Sequence, residues 1–130
     1  MTLPARREIW WLNVGGTRHR AVIIRAEVDR IFAVWGQTVP GDANDVVVKL
    51  GAHNARPFRI DRDTHFRLEN VAFYKPEDFP SKLGECDFRL FGRFEHLANL
   101  RLRQLEEEAK AAAEKAAAAA KALTDEPTKT

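Results

Sequence analysis

Cysteine and serine each occur once in the 130 residues, as Cys86 and Ser81. A single cysteine excludes an internal disulfide and any multi-cysteine zinc site. The lone serine lies between Pro80 and Lys82 with no histidine close in sequence. A serine nucleophile would therefore need its base and orienting group assembled from afar. No run of about 18 uncharged apolar residues occurs, which excludes a spanning helix. The opening from Met1 to Glu8 lacks the apolar core of a secretory signal. Charge of one sign is lacking too: 21 Lys or Arg against 19 Asp or Glu leave +2, too balanced to mark nucleic-acid binding by itself. Gly15-Gly16 is not followed by the Lys-Ser/Thr of a phosphate-binding loop, and no dinucleotide fingerprint occurs. These absences point to a soluble, cytoplasmic chain with no recognisable catalytic signature.

Bulk is unevenly placed. Every aromatic residue precedes position 95, whereas alanine crowds the stretch from Ala109 to Ala122. Large side chains carry most burial energy, about 1.5–3 kcal/mol each when fully buried. The expected organisation is a folded body over residues 1–92, a helix over 93–123 with its first turns packed on the body, and a disordered tail over 124–130.

Within the body, Glu8 to Val14 alternates as a strand, and Gly15-Gly16 leads into a second apolar run ending near Ala26. Gly-Gly between such runs predicts a type I′ hairpin, which needs positive φ at both positions. That register sets Trp11 opposite Arg20, Trp10 opposite Ala21 and Ile9 opposite Val22. Of the two faces, the one bearing Trp10, Leu12, Val14, Ala21 and Ile23 is the better candidate for the core. Further strands are expected over Ile31–Trp35, Asp45–Leu50, Phe58–Leu68 with a bend at Asp61–Thr64, and Cys86–Leu90. A type II turn is expected at Val39–Asp42, with loops over Gly51–Arg56 and over Lys75–Gly84, which holds Pro76, Pro80 and Gly84. The apolar parity flips after Asn70, which implies a turn or bulge. Short strands broken by turn signals argue for a mainly β fold: a small antiparallel barrel or sandwich followed by a long Ala-rich α-helix. By fold analogy alone, the opening hairpin and the strand ending in Val34-Trp35-Gly36 resemble SH3-like, Tudor-like or OB-like barrels.

Three function classes compete. The preferred one is a non-catalytic interaction or adaptor module that binds a protein partner, as an accessory protein of a phage, plasmid or bacterial complex. Leu97, Leu100 and Leu105, continued by Ala109, Ala112 and Ala116, would give its helix a seam for a partner or for a second copy of itself. The alternative is a small barrel that binds DNA or RNA. Arginine outnumbers lysine, and the hairpin places Trp11 beside Arg18 and Arg20. Aromatics flanked by arginine suit stacking and phosphate contact. Arg56, Arg59 and Arg67 would extend that surface. The third is a metal-dependent enzyme built on Asp61, Asp63 and His65, with His53 as a further ligand. Arg59, Arg62 and Arg67 beside those groups make a solvated ion-paired face the simpler explanation, so no enzyme, metal or other cofactor is expected. Cys86 reads as an ordinary buried thiol.

Overall fold

Gly15 and Gly16 adopt φ values of 56° and 80°, the pair that a type I′ turn requires. The computed structural model describes residues 3–124. Its first hairpin pairs β1 (Glu8–Val14) with β2 (Thr17–Ala26) in the expected register, Ile9 with Val22, Trp10 with Ala21 and Trp11 with Arg20. β3 (Ile31–Gln37), β4 (Val46–Val48), β5 (Thr64–Tyr74) and β6 (Lys82–Glu85) complete an antiparallel half-barrel in the order β4-β5-β3-β2-β1-β6. One long helix, α1 (Phe88–Thr124), follows. The fold is thus the expected mainly β body with a C-terminal helix. No helix among the described residues is long and apolar enough to cross a membrane.

Both faces of the hairpin are buried, and the larger core lies on the face opposite to the one favoured from sequence. Ile9 and Val22 pack with Phe32, Phe58, Phe66, Phe94 and Leu97 under α1. Trp10, Leu12, Ala21 and Ile23 form a smaller cluster with Ile31, Ala33 and Phe79. Period-two alternation marks two faces but does not say which one a distant helix will cover.

Four local expectations are corrected. Gly41 has no positive φ, so Val39–Asp42 is not a type II turn. Instead Asp45 gathers the loop, its carboxylate accepting from the Gly41 and Asp42 amides at 2.6 and 3.2 Å. The stretch from His53 to Phe58 is a short 3-10 helix, so Phe58 and Ile60 precede β5 rather than belonging to it. The residues Cys86–Leu90 are not a strand. Asp87 caps α1, its Oδ2 accepting from the Arg89 and Leu90 amides at 3.1 and 3.2 Å, and the helix starts five residues before the expected position 93. The loop expected over Lys75–Gly84 contains most of β6.

The parity flip after Asn70 is a break in register: Val34 pairs with Val71, but Gly36 pairs with Phe66. Asn70 is buried there and donates to the Trp35 carbonyl at 3.3 Å. Gly36 admits Thr64 and Phe66 so closely that a Cβ would stand 2.5 Å from Thr64 Cγ2 and 2.9 Å from Phe66 Cζ.

Along α1, Leu90, Phe91, Phe94, Leu97 and Ala98 are buried, while every residue from Glu106 to Leu123 is exposed. Thr124 ends the helix; the rest of the tail expected to be disordered lies outside the described residues.

Two glycines should respond oppositely to alanine. Gly36→Ala should cost about 1–3 kcal/mol by overpacking. Gly92→Ala, in mid-helix with open space around it, should add about 0.5–1 kcal/mol. Urea denaturation midpoints at constant slope check both. Burial, reinforced by Asp87, pushes the Cys86 thiol up to about 12. It should therefore react with a thiol reagent at neutral pH only at the rate of unfolding; rapid labelling of native protein would contradict its buried placement.

Candidate nucleic-acid interface

The tight hairpin fixes the first part of the site. Trp11 and Arg20 are directly opposed across β1 and β2, and residues two apart on β2 share a face. Arg18 and Arg20 consequently both lie over the Trp11 ring, their Cζ atoms 4.2 and 4.6 Å from its centroid. Each such stack contributes about 0.5–1 kcal/mol at an exposed site and fixes the direction of a guanidinium.

Arg20 also joins the hairpin to the 3-10 helix. Its Nε donates to the Phe58 carbonyl at 2.7 Å and its Nη2 to the Arg59 carbonyl at 2.6 Å. Arg59 stops that helix in a left-handed conformation, φ 53°, and its amide donates to the Arg56 carbonyl at 3.2 Å. Burial lowers the Arg20 pKa; Asp61 opposes that shift and Arg18 adds to it. A guanidinium remains charged at neutral pH despite such a shift.

Arg56 and Arg59 line a groove of about 590 Å³ beside this junction, with Leu50, Ala52, Ala55 and Ile60 forming apolar walls and His53 at its edge. The structure therefore brings Trp11, Arg18, Arg20, Arg56 and Arg59 to one flank. Arg67 does not join them. It pairs with Glu69 and lines a separate depression with Asp45, Arg101 and Gln104.

The Asp61, Asp63 and His65 trio is not a centre. β5 begins only at Thr64, so the two aspartates lie in the preceding bend and do not share a strand face with His65. Asp63 accepts from the Leu50 amide at 2.8 Å, Asp61 lies 3.8 Å from Arg62, and His65 faces Asp45 at 3.7 Å. Among the described residues no three His, Cys, Asp or Glu side chains are placed to hold a metal ion. The helical seam is also altered. Leu97 is 1 % exposed in the main core and cannot meet a partner, whereas Leu100 and Leu105 are half-buried. Sequence alone offers His53 only as a further metal ligand; its place beside two arginines depends on the 3-10 turn.

Neither a family model nor a curated protein sequence matches the chain. Solved structures do share its fold. One is an endoribonuclease in complex with its cognate antitoxin from a mycobacterial species, 14% identical, TM-score 0.57, covering 76% of this chain and 94% of that one. A second is a MazE–MazF crystal structure from Deinococcus radiodurans, 15% identical, TM-score 0.58, covering 78% and 97%. A third is the Mycobacterium tuberculosis toxin MazF-mt6, 16% identical, TM-score 0.58, covering 75% and 97%. The expectation of a non-catalytic adaptor that is not an enzyme is overturned by these matches, because the fold is that of proteins described as endoribonucleases and toxins. At these identities the likeness shows a MazF-like fold.

Proposed function

We propose that the chain is an endoribonuclease that cleaves single-stranded RNA and has a protein antitoxin as its partner. The observation that carries this reading is the fold, shared over 76% of this chain and 94% of a mycobacterial endoribonuclease solved with its antitoxin. The local chemistry supports it. Trp11, half-buried beneath Arg18 and Arg20, offers a stacking edge. Arg20 uses two nitrogens on fixed carbonyls, so its third, with two further N–H donors, is preset for a phosphate oxygen.

In the proposed reaction His53 takes the proton of a ribose 2′-hydroxyl. The 2′ oxygen forms a bond to the adjacent phosphorus as the bond from phosphorus to the 5′ oxygen breaks. The leaving 5′ oxygen takes a proton from solvent water, and the His53 imidazolium returns its proton to solvent. The products are a 2′,3′-cyclic phosphate and a 5′-hydroxyl. Arg20 and Arg59 balance the charge that develops on the phosphoryl oxygens.

The full chain should cut a labelled single-stranded RNA internally, and the all-deoxy version of that oligonucleotide should stay intact. His53→Ala should lower kcat about 10²–10⁴-fold, and Arg20→Ala about 10²–10³-fold, with melting temperature recorded because Arg20 also holds the 3-10 helix. Failure of the wild-type chain to cut any of a panel of mixed-sequence RNAs would overturn the reading.

A further inference from the structure

Ten of the fourteen arginines fall into two groups; Arg18 and Arg20 stack on Trp11, and Arg101 and Arg103 lie farther along α1. Arg6, Arg7, Arg25, Arg30, Arg62 and Arg67 each meet a carboxylate. Arg56, Arg59, Arg89 and Arg93 are exposed, and none has a described carboxylate within ion-pair distance.

These four cations lie along connected depressions. The groove of Arg56 and Arg59 shares Ala52 and His53 with a second depression of about 420 Å³, which also takes in Asn54, Asp87, Arg89, Leu90 and Arg93. That one shares Arg89 and Arg93 with a third of about 420 Å³, reaching Gly92, His96 and Leu100. On α1 the residues Arg89, Gly92, Arg93 and His96 stand at i, i+3, i+4 and i+7, one face of the helix. Gly92 leaves open space at its centre, because a Cβ there would meet nothing within 4 Å. Two acids border the path. Asp87 spends its carboxylate on the helix cap, and the Asp45 side chain is only 5% exposed.

We propose that this path is a second RNA-binding segment, in which Arg89 and Arg93 hold phosphates of the same strand whose scissile phosphate lies at Arg20, Arg56 and Arg59. It rests on the reading of the chain as a single-strand ribonuclease and extends it to a substrate several nucleotides longer than the groove alone accepts. The occupant is a polyanion with regularly spaced charges because the free cations are spaced along a continuous path. Unneutralised arginines along a groove that tracks the backbone supply the electrostatic part of single-strand binding.

The test is binding of 2′-O-methyl RNA, which cannot be cut through the 2′ oxygen, at two lengths, about four and about twelve nucleotides, to the full chain. The double variant Arg89→Ala/Arg93→Ala should bind the long oligonucleotide about 10–100-fold more weakly and the short one within about twofold of wild type. Gly92→Leu, which blocks the depression while keeping both charges, should weaken the long oligonucleotide alone, and its helical position leaves the fold intact. Equal binding of the long oligonucleotide by wild type and both variants overturns the path while the nuclease reading stands. If the wild-type chain neither binds nor cuts RNA of either length, the nuclease reading falls and the path falls with it.

Discussion

Three phenylalanines hold the functional flank together. Phe58 ends the 3-10 helix, Phe66 lies on β5 and Phe94 on α1, and all three are fully buried. Their ring centroids are 4.8 to 6.2 Å apart, with Phe66 meeting both others edge-on. Each ring contributes about 1.5–3 kcal/mol by burial, and each favourable pair adds about 0.5–1.5 kcal/mol. The carbonyl of Phe58 is what Arg20 grips, and one residue further on Arg59 turns out of the helix. The same packing that closes the half-barrel therefore sets the spacing between the hairpin arginines, the groove and the first turns of α1.

The N-terminal approach works in the same direction. Arg7 sits at φ 76°, and its amide donates to the Ile23 carbonyl at 2.8 Å while its carbonyl accepts from the Cys86 amide at 2.9 Å. Its guanidinium donates to the Cys86 carbonyl at 2.5 Å and stacks on Phe88. One residue in a sparsely populated conformation costs about 1–3 kcal/mol, and several fixed partners hold it there. The start of α1 is thus tied to β1 from one side and capped by Asp87 from the other. Arginines used for this architecture are paired or hydrogen-bonded, whereas Arg56, Arg59, Arg89 and Arg93 are exposed and have no described carboxylate within ion-pair distance.

Much of the fold was legible in the sequence. Gly15-Gly16 dictated a turn whose register followed residue by residue, and Trp11 with Arg18 and Arg20 could be placed together from alternation alone. The signals that failed were those in which short-range pattern competes with capping or packing. Cys86, Phe88 and Leu90 alternate like a strand, yet Asp87 offers two hydrogen bonds to amides that a strand would leave elsewhere, and Phe91, Phe94 and Leu97 supply the helical face. Phe58 and Ile60 share the parity of β5, but Phe58 ends the 3-10 helix, Arg59 turns left-handed after it, and the bend before Thr64 separates both from the strand. Arg89 and Arg93 share a helix face only because Asp87 starts the helix before them. Arg67 looked equivalent to Arg56 and Arg59 because alternation does not show that Arg67 pairs with Glu69 on β5 while the other two stand at the end of a 3-10 helix. Function was less legible still, since the chemistry proposed needs no rare residue and leaves no spaced motif.

The central claim is that the unpaired arginines of this flank exist to neutralise RNA phosphates. The affinity of the full chain for a non-cleavable single-stranded RNA, measured across a series of salt concentrations, tests it most directly. Four or five phosphate contacts predict that log K falls along log salt with a slope of about −2.8 to −3.5, since each contact with a single strand contributes about −0.7. Affinity that stays level as salt rises, or an absence of binding at low salt, would contradict it.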